Sequence, residues 1–150
     1  MRFPASVLIL AAAALAAGCG SSSIRVHAIG RAPMNLNDAG QSTAVQVVCF
    51  ALRAEGRFRN AAVDALWEQD RATLGEDLIG DPVSMIITPA GSGEAPTPID
   101  IPVPAGTAFI GVLAKFPKPD ARNQRTLLIP LADASGARLT LTGSSIELAK

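Results

Sequence analysis

The sequence predicts a mainly β domain, a two-layer β-sandwich of about seven or eight strands with one short helical insertion. Short apolar runs bounded by Pro and Gly carry this prediction in the second half of the chain. The runs span residues 83–88, 97–103, 108–116, 126–131 and 139–148, the last interrupted at Gly143. Apolar residues fill 49% of the 150 positions and charged residues 17%, which is enough for a hydrophobic core and excludes extensive disorder. Neither an internal repeat nor a second domain is expected.

A further strand is predicted near the start of this domain. Apolar and polar residues alternate from Ile24 to Ala28, which indicates a half-buried strand that ends at Gly30 and Pro33. His27 falls on its wetter face. An imidazole without a second His nearby is interpreted as a solvated strand residue.

A loop and a buried strand follow. Residues 34–42 contain Asn, Asp and Gly without periodicity, which predicts a loop. Residues 44–52 are apolar at nearly every position, as in a strand covered on both faces. Cys49 lies within this run and is expected to be a buried structural residue rather than a nucleophile.

The helical insertion is predicted over residues 60–79. Asn60 is expected to cap a helix in which Val63, Leu66 and Trp67 form one apolar face. The predicted structural core consists of large apolar side chains in and before this segment: Trp67, Leu66, Phe58 and Phe50. Five carboxylates are interpreted as a solvated helix face rather than a calcium or acid–base site: Asp64, Glu68, Asp70, Glu76 and Asp77.

The composition argues against several classes of function. Thirteen basic and 13 acidic residues cancel, so nucleic acid is not an expected partner. One His, two Cys and no Tyr leave few groups for a metal site or for catalysis, so neither metal nor enzymatic activity is predicted. No G-x-S-x-G motif is present, and the G-x-G at residues 91–93 lacks a following helix and is interpreted as a hairpin turn.

Residues 1–18 have the features of a signal peptide. Arg2 precedes an Ala-rich apolar run that is shorter than the roughly 20 residues needed to span a bilayer. Small residues end the run and Cys19 follows, which resembles the bacterial lipobox; the small residues are Ala16, Ala17 and Gly18. The alternative is an ordinary secretory cleavage site with an incidental Cys.

The lipobox resemblance implies a lipid anchor. Cys19 would carry a diacylglycerol and an amide-linked acyl chain, and more than one chain makes anchoring stable. No other cofactor is expected. Residues 19–23 would form the lipidated Cys and a flexible tether to a domain over residues 24–150. Gly20 stands where an Asp would favour inner-membrane retention, so outer-membrane anchoring with a periplasmic domain is expected.

The mature chain contains a series of short motifs: Leu36, Asn37, Gly40, Ser42 and Val45; the strand from Phe50 to Arg53; Phe58; Asp64 to Trp67; Leu74 and Gly75; Pro89 and Gly91; and Phe109 to Val112 with Ala114. In this order the motifs resemble the TssJ family, outer-membrane lipoproteins of the bacterial type VI secretion system. It implies a transthyretin-like β-sandwich that acts in assembly rather than as an enzyme.

The resemblance also implies a partner, the periplasmic C-terminal domain of TssM, and hence a tether between the secretion complex and the outer membrane. The loop after the first strand is the family's candidate contact. Here it supplies apolar Met34 and Leu36, with a polar rim of Asn35, Asn37, Asp38 and Gln41. The alternative for Leu36 and Asn37 is a purely loop-stabilising role. At the level of function, the alternative is a periplasmic lipoprotein that binds a small ligand or carbohydrate, and an envelope hydrolase comes third.

Overall fold

The first strand, β1 (Ser22–Met34), runs through the middle of one sheet and is longer than the sequence predicts. The computed structural model describes residues 22–91 and 93–149. The strand continues past Gly30, which is buried. A Cβ at this position would lie 2.7 Å from the carbonyl oxygen of Thr88. Close packing therefore explains why a glycine occupies position 30. The prediction that the strand ends there is wrong.

The same strand also begins earlier than expected. Ser22 and Ser23 pair with Val103 and Pro102, although the sequence placed both serines in a flexible tether. Ser22 and Ser23 therefore belong to the folded domain rather than to the predicted tether.

Two sheets form the predicted β-sandwich. The five-stranded sheet contains β1, β4 (Pro89–Ala90), β5 (Thr97–Val103), β8 (Arg138–Gly143) and β9 (Ser145–Leu148). The four-stranded sheet is ordered β3-β2-β6-β7 and contains β2 (Val45–Leu52), β3 (Val83–Ile87), β6 (Phe109–Ala114) and β7 (Thr126–Pro130). In the first sheet β1 is central, antiparallel to β5 on one side and parallel to β8 on the other. The predicted fold class is confirmed.

Strand β2 is buried on both faces, as its uninterrupted apolar run predicts. Val45, Val47 and Cys49 face the core between the two sheets. Phe50 and Leu52 belong to a second cluster, on the face covered by helices. The helical insertion thus adds a third layer to the predicted two.

Cys49 is a buried structural residue. Its side chain is 1% exposed, and burial raises the pKa of its thiol to about 12. The thiol therefore stays protonated near neutral pH, and the predicted structural role is supported.

The helices are short and start before the predicted position. They are α1 (Gly56–Asn60), α2 (Val63–Glu68), α3 (Asp70–Leu74) and α4 (Leu131–Ala134), with a 3₁₀ turn at Gly75–Asp77. Asn60 ends α1, and its side-chain amide donates to the carbonyl of Gly56 (2.8 Å). The predicted helix cap at Asn60 is therefore wrong. None of the helices in the described ranges is long and apolar enough to cross a bilayer.

The helices are held to the four-stranded sheet by three of the four predicted core residues. Phe50, Phe58 and Leu66 are each at most 4% exposed. The rings of Phe50 and Phe58 lie 6.0 Å apart between centroids. A Cβ on Gly111 would come within 2.7 Å of the Phe58 ring, so the glycine creates the space that this ring fills.

Trp67, the fourth predicted core residue, is only half-buried at the edge of this cluster. The Lys115 ammonium lies 5.6 Å from the centroid of its ring, within the range of a cation–π contact. Trp67 therefore supports the helical layer from its margin, and the prediction of a central anchor is wrong.

This position leads to a stability prediction. Trp67→Ala should destabilise the domain by about 2 kcal/mol, below the roughly 3–5 kcal/mol typical of a fully buried Trp. Leu66→Ala, one residue away but buried, provides the comparison and should cost about 2–5 kcal/mol. Urea unfolding followed by circular dichroism measures both. A larger loss for Trp67→Ala than for Leu66→Ala would contradict the half-buried position.

Candidate partner-binding surface

The predicted partner-binding loop is a compact, hydrogen-bonded turn between β1 and β2. Leu36 and Ser42 form a bridge across its base. Within it, the Asn37 N–H donates to the carbonyl of Gln41 (3.0 Å), and the Gly40 N–H donates to the carbonyl of Asn37 (2.9 Å). The loop, residues 35–44, therefore has a defined shape that a partner can recognise.

Two asparagine side chains maintain this shape. The side-chain oxygen of Asn37 (Oδ1) accepts hydrogen bonds from the backbone N–H groups of Ala39 (3.0 Å) and Gln41 (2.9 Å). The Asn35 amide donates to the Thr43 hydroxyl (2.8 Å) and to the Ala44 carbonyl (3.1 Å). Both amides are engaged within the loop, which supports the stabilising alternative for Asn37 and extends it to Asn35.

Met34 is the one predicted contact residue that the structure removes from the surface. It ends β1, its side chain is 0% exposed, and it belongs to the core between the sheets. A fully buried side chain cannot insert into a partner, so this part of the prediction is wrong. A pattern of two apolar residues in a loop does not reveal which of them faces inward.

Leu36 is the apolar residue that the loop presents to solvent. Its side chain is 47% exposed, and the structure describes only two other large hydrophobic residues as exposed. Asp38 and Gln41 are exposed beside it and can form a polar rim. Single exposed apolar residues are common on protein surfaces, so it is the fixed loop and its polar rim that make Leu36 a candidate contact.

The connection between β6 and β7, residues 115–125, adjoins this loop. The Lys118 ammonium donates to the Asp38 carboxylate (2.8 Å). Further along the connection, Asp120 accepts a hydrogen bond from the Ser145 hydroxyl (2.7 Å). Neither contact was predicted, because residues 80 and 25 positions apart leave no local pattern.

Hydrogen bonds keep the Asp120 carboxylate ionised. The Ser145 hydroxyl and the backbone N–H groups of Arg122 and Asn123 lower its pKa below the ordinary 3.8. A lowered pKa means that this network stabilises the fold above pH 3.8 and that the contribution is lost as the pH falls further.

The other sequence candidates do not converge on a site. The five carboxylates of the helical segment lie on exposed or half-exposed positions. Across residues 22–91 and 93–149, no three His, Cys, Asp or Glu side chains are close enough to share a metal ion. His27 is half-buried and pairs in register with Pro98 and Arg138. The predicted lipidation residue Cys19, the lipobox residues Ala16, Ala17 and Gly18, and Gly20 lie outside the described residues.

Solved structures share this fold. A Serratia marcescens protein, Lip, described as a membrane-bound component of the type VI secretion system, superposes with a TM-score of 0.76 at 17% identity, over 87% of this chain and 99% of that chain. Pseudomonas aeruginosa TssJ1, a type VI lipoprotein, gives 0.65 at 17% identity, over 87% and 98% of the two chains. A chain in the structure described as the TssM C-terminal domain (869-1107) from EAEC gives 0.70 at 20% identity, over 85% and 98%.

Sequence comparison gives the family. Among curated proteins, none matches this chain significantly. A family model described as "Type VI secretion lipoprotein, VasD, EvfM, TssJ, VC_A0113" matches residues 22–144, nearly the whole folded domain. The chain therefore belongs to the TssJ family of type VI secretion lipoproteins.

Proposed function

We propose that this lipoprotein is anchored in the outer membrane through Cys19 and binds the periplasmic C-terminal domain of TssM. In this role it tethers the type VI membrane complex to the outer membrane and catalyses no reaction. The exposed Leu36 on its hydrogen-bonded loop is the observation that carries the proposed contact.

Membrane anchoring is supported by the sequence before the fold. Cys19 follows small residues at the end of an apolar run, and only Gly20 and Ser21 separate it from β1. Three residue steps span about 10 Å, so a lipid on Cys19 would hold the start of β1 close to the membrane.

The TssM assignment is supported by the family and by the fold. This chain belongs to a family of type VI secretion lipoproteins. It also shares its fold with a chain in a solved structure whose description names the TssM C-terminal domain. A lipid-anchored domain with a fixed interaction loop is suited to joining a membrane to a protein partner.

A carbohydrate-binding lipoprotein is the weaker alternative. Such a site needs an exposed aromatic face on which a sugar can stack. Trp67 is the only Trp in the chain, and Lys115 lies over its ring while the helical layer packs against it. This arrangement leaves little of the Trp67 ring free for a sugar to stack on.

Leu36→Ser tests the contact directly. It should weaken binding to the TssM domain at least tenfold, about 1.4 kcal/mol, because an exposed anchor side chain is removed without disturbing the core. Isothermal titration of the mature lipoprotein in detergent micelles with purified TssM domain measures the affinity. Replacing the whole segment from Met34 to Leu36 would confound the test, since Met34 is buried.

Leu148→Ser is the matched control. Leu148 has nearly the same exposure, 45%, but pairs with Leu139 at the far end of the β8–β9 hairpin from the loop. Equal losses in the two variants, or unchanged affinity in a folded Leu36→Ser, would move the contact elsewhere. The acidic helical segment between Asn60 and Ile79 would then be the next surface to test.

A further inference from the structure

Three segments meet at the end of the sandwich that carries Leu36. They are the β1–β2 loop (residues 35–44), the β6–β7 connection (residues 115–125) and the β8–β9 turn (residues 143–145). The Asn35 N–H donates to the carbonyl of Gly143 (2.7 Å), which joins the loop to the turn. The Ser145 hydroxyl bonds Asp120, which joins the turn to the connection, and Lys118 bonds Asp38, which returns to the loop. These contacts form a closed ring through all three segments.

Ser145 and Asp120 form the best-protected link in this ring. Ser145 is the one polar residue in the described ranges that is fully buried, at 0% exposure. Its partner Asp120 also accepts the backbone N–H groups of Arg122 (2.9 Å) and Asn123 (3.1 Å). One carboxylate therefore fixes the turn of the β6–β7 connection and attaches it to β9. The Ile146 N–H adds a second attachment by donating to the carbonyl of Gln124 (2.7 Å).

The Lys118–Asp38 link has the opposite character. The side chains are 73% and 95% exposed. An ion pair in such solvent contributes little to stability, so the fold does not need it. Lys118 can therefore give up or share Asp38 when another carboxylate approaches, at small energetic cost.

We propose that the partner surface is composite: Leu36 from the β1–β2 loop and Lys118 from the β6–β7 connection contact one partner together. The Asp120–Ser145 hydrogen bond holds the second segment in place beside the first. The partner presents an apolar recess for Leu36 and a carboxylate within reach of Lys118. This inference rests on the proposed function and adds a second segment, a positioning pair and a charge preference to it.

Neutralising Lys118 and Asp38 in turn shows whether Lys118 contacts the partner or only its internal partner Asp38. Lys118→Gln should weaken binding to the TssM domain about threefold to fivefold at low salt, because its contact with the partner carboxylate is lost. Asp38→Asn changes a residue of the polar rim, but it should weaken binding less than Lys118→Gln does, because Lys118 keeps its contact with the partner carboxylate. The Lys118→Gln effect should vanish in ~1 M salt, where the Debye length falls to about 3 Å. Titrations with the mature lipoprotein in micelles supply these values.

Arg71→Gln is the matched control for charge. Arg71, in α3, forms a similarly exposed pair with Asp81, which lies just before β3. The control pair is far from the β1–β2 loop. Asp81 lies near the start of β3, where Val83 pairs with Cys49, whereas the loop enters β2 before Val45. This variant removes the same charge away from the composite surface and should not change the affinity.

The positioning pair is tested by Ser145→Ala, alone and with Lys118→Gln. If Ser145 acts by holding Lys118 in place, the single variant should weaken binding about threefold and the double variant should bind no worse than Lys118→Gln alone. A purely structural role would make the two effects multiply instead. Circular dichroism melts identify any variant that fails to fold. If Ser145→Ala does not fold, Lys118→Gln still tests the composite surface, because its side chain is exposed.

The outcomes separate this inference from the function on which it rests. If wild type does not bind the TssM domain, the proposed function is wrong. If Leu36→Ser weakens binding while Lys118→Gln matches the Arg71→Gln control, the proposed function stands and the composite surface is wrong. Equal losses from Lys118→Gln and Asp38→Asn would also overturn it, since only the internal pair would then matter.

Discussion

Phe58→Ala is expected to destabilise the domain by about 3–5 kcal/mol, the cost of removing a buried aromatic side chain. Phe58 is 4% exposed and joins the helical layer to the four-stranded sheet. A typical domain has only about 5–15 kcal/mol of stability in total, so the change removes a large part of it. Chemical denaturation followed by circular dichroism measures the loss.

Gly111→Ala provides the companion variant. The added Cβ would lie 2.7 Å from the Phe58 ring, so this variant alone should also be destabilised. In the double variant with Phe58→Ala the ring is absent, and the methyl group has room. The double variant should therefore be less unstable than the sum of the two single changes predicts. Full additivity would show that the two positions do not contact each other.

Cys19→Ser is expected to abolish membrane attachment and, with it, type VI secretion. The change removes the sulfur to which the diacylglycerol would be attached, and the domain would lose its fixed membrane position. Metabolic labelling with a palmitate analogue and membrane fractionation measure the effect.

The other cysteine provides the control for labelling. Cys49 is buried in the core, so Cys49→Ala should keep both label and membrane association. An unlabelled wild-type protein, or a label lost with Cys49→Ala and kept with Cys19→Ser, would refute lipidation at Cys19.

Much of the fold could be predicted because its strands have strong local patterns. The strand Thr97–Val103 matches the predicted run at both ends, and its bounds follow from the prolines that flank it, Pro96 and Pro104. The run of apolar residues over 44–52 indicated burial on two faces, and β2 has it. What it did not show was that one of the two covering layers consists of helices.

The errors in the fold come from residues whose role depends on distant contacts. The sequence predicts that the first strand ends at Gly30, but the position lacks a side chain because the carbonyl of Thr88, far along the chain, packs against it. Asn60 has the chemistry of a helix cap, yet it donates back to Gly56 from the last position of α1. Helix α1 has no side-chain cap that the sequence could reveal.

The candidate site was only partly predictable for the same reason. The Asn and Gly residues of the β1–β2 loop indicated a turn, and that part of the sequence is a hydrogen-bonded turn. Nothing local distinguishes the buried Met34 from the exposed Leu36. Lys118, Asp120 and Ser145 reach this end of the sandwich from two other connections, and only the tertiary fold brings them together.

The position of β1 gives the domain a mechanical property. The strand spans about 40 Å, with the predicted anchor three residues before its first residue and the Leu36 loop directly after its last. A pull between the outer membrane and a partner would therefore run along this single strand. The covalent backbone of β1 would carry the load, and its hydrogen bonds to β5 and β8 would hold the extended strand in place. Tension that enters through the Leu36 loop would thus reach the anchor without passing through the helical layer.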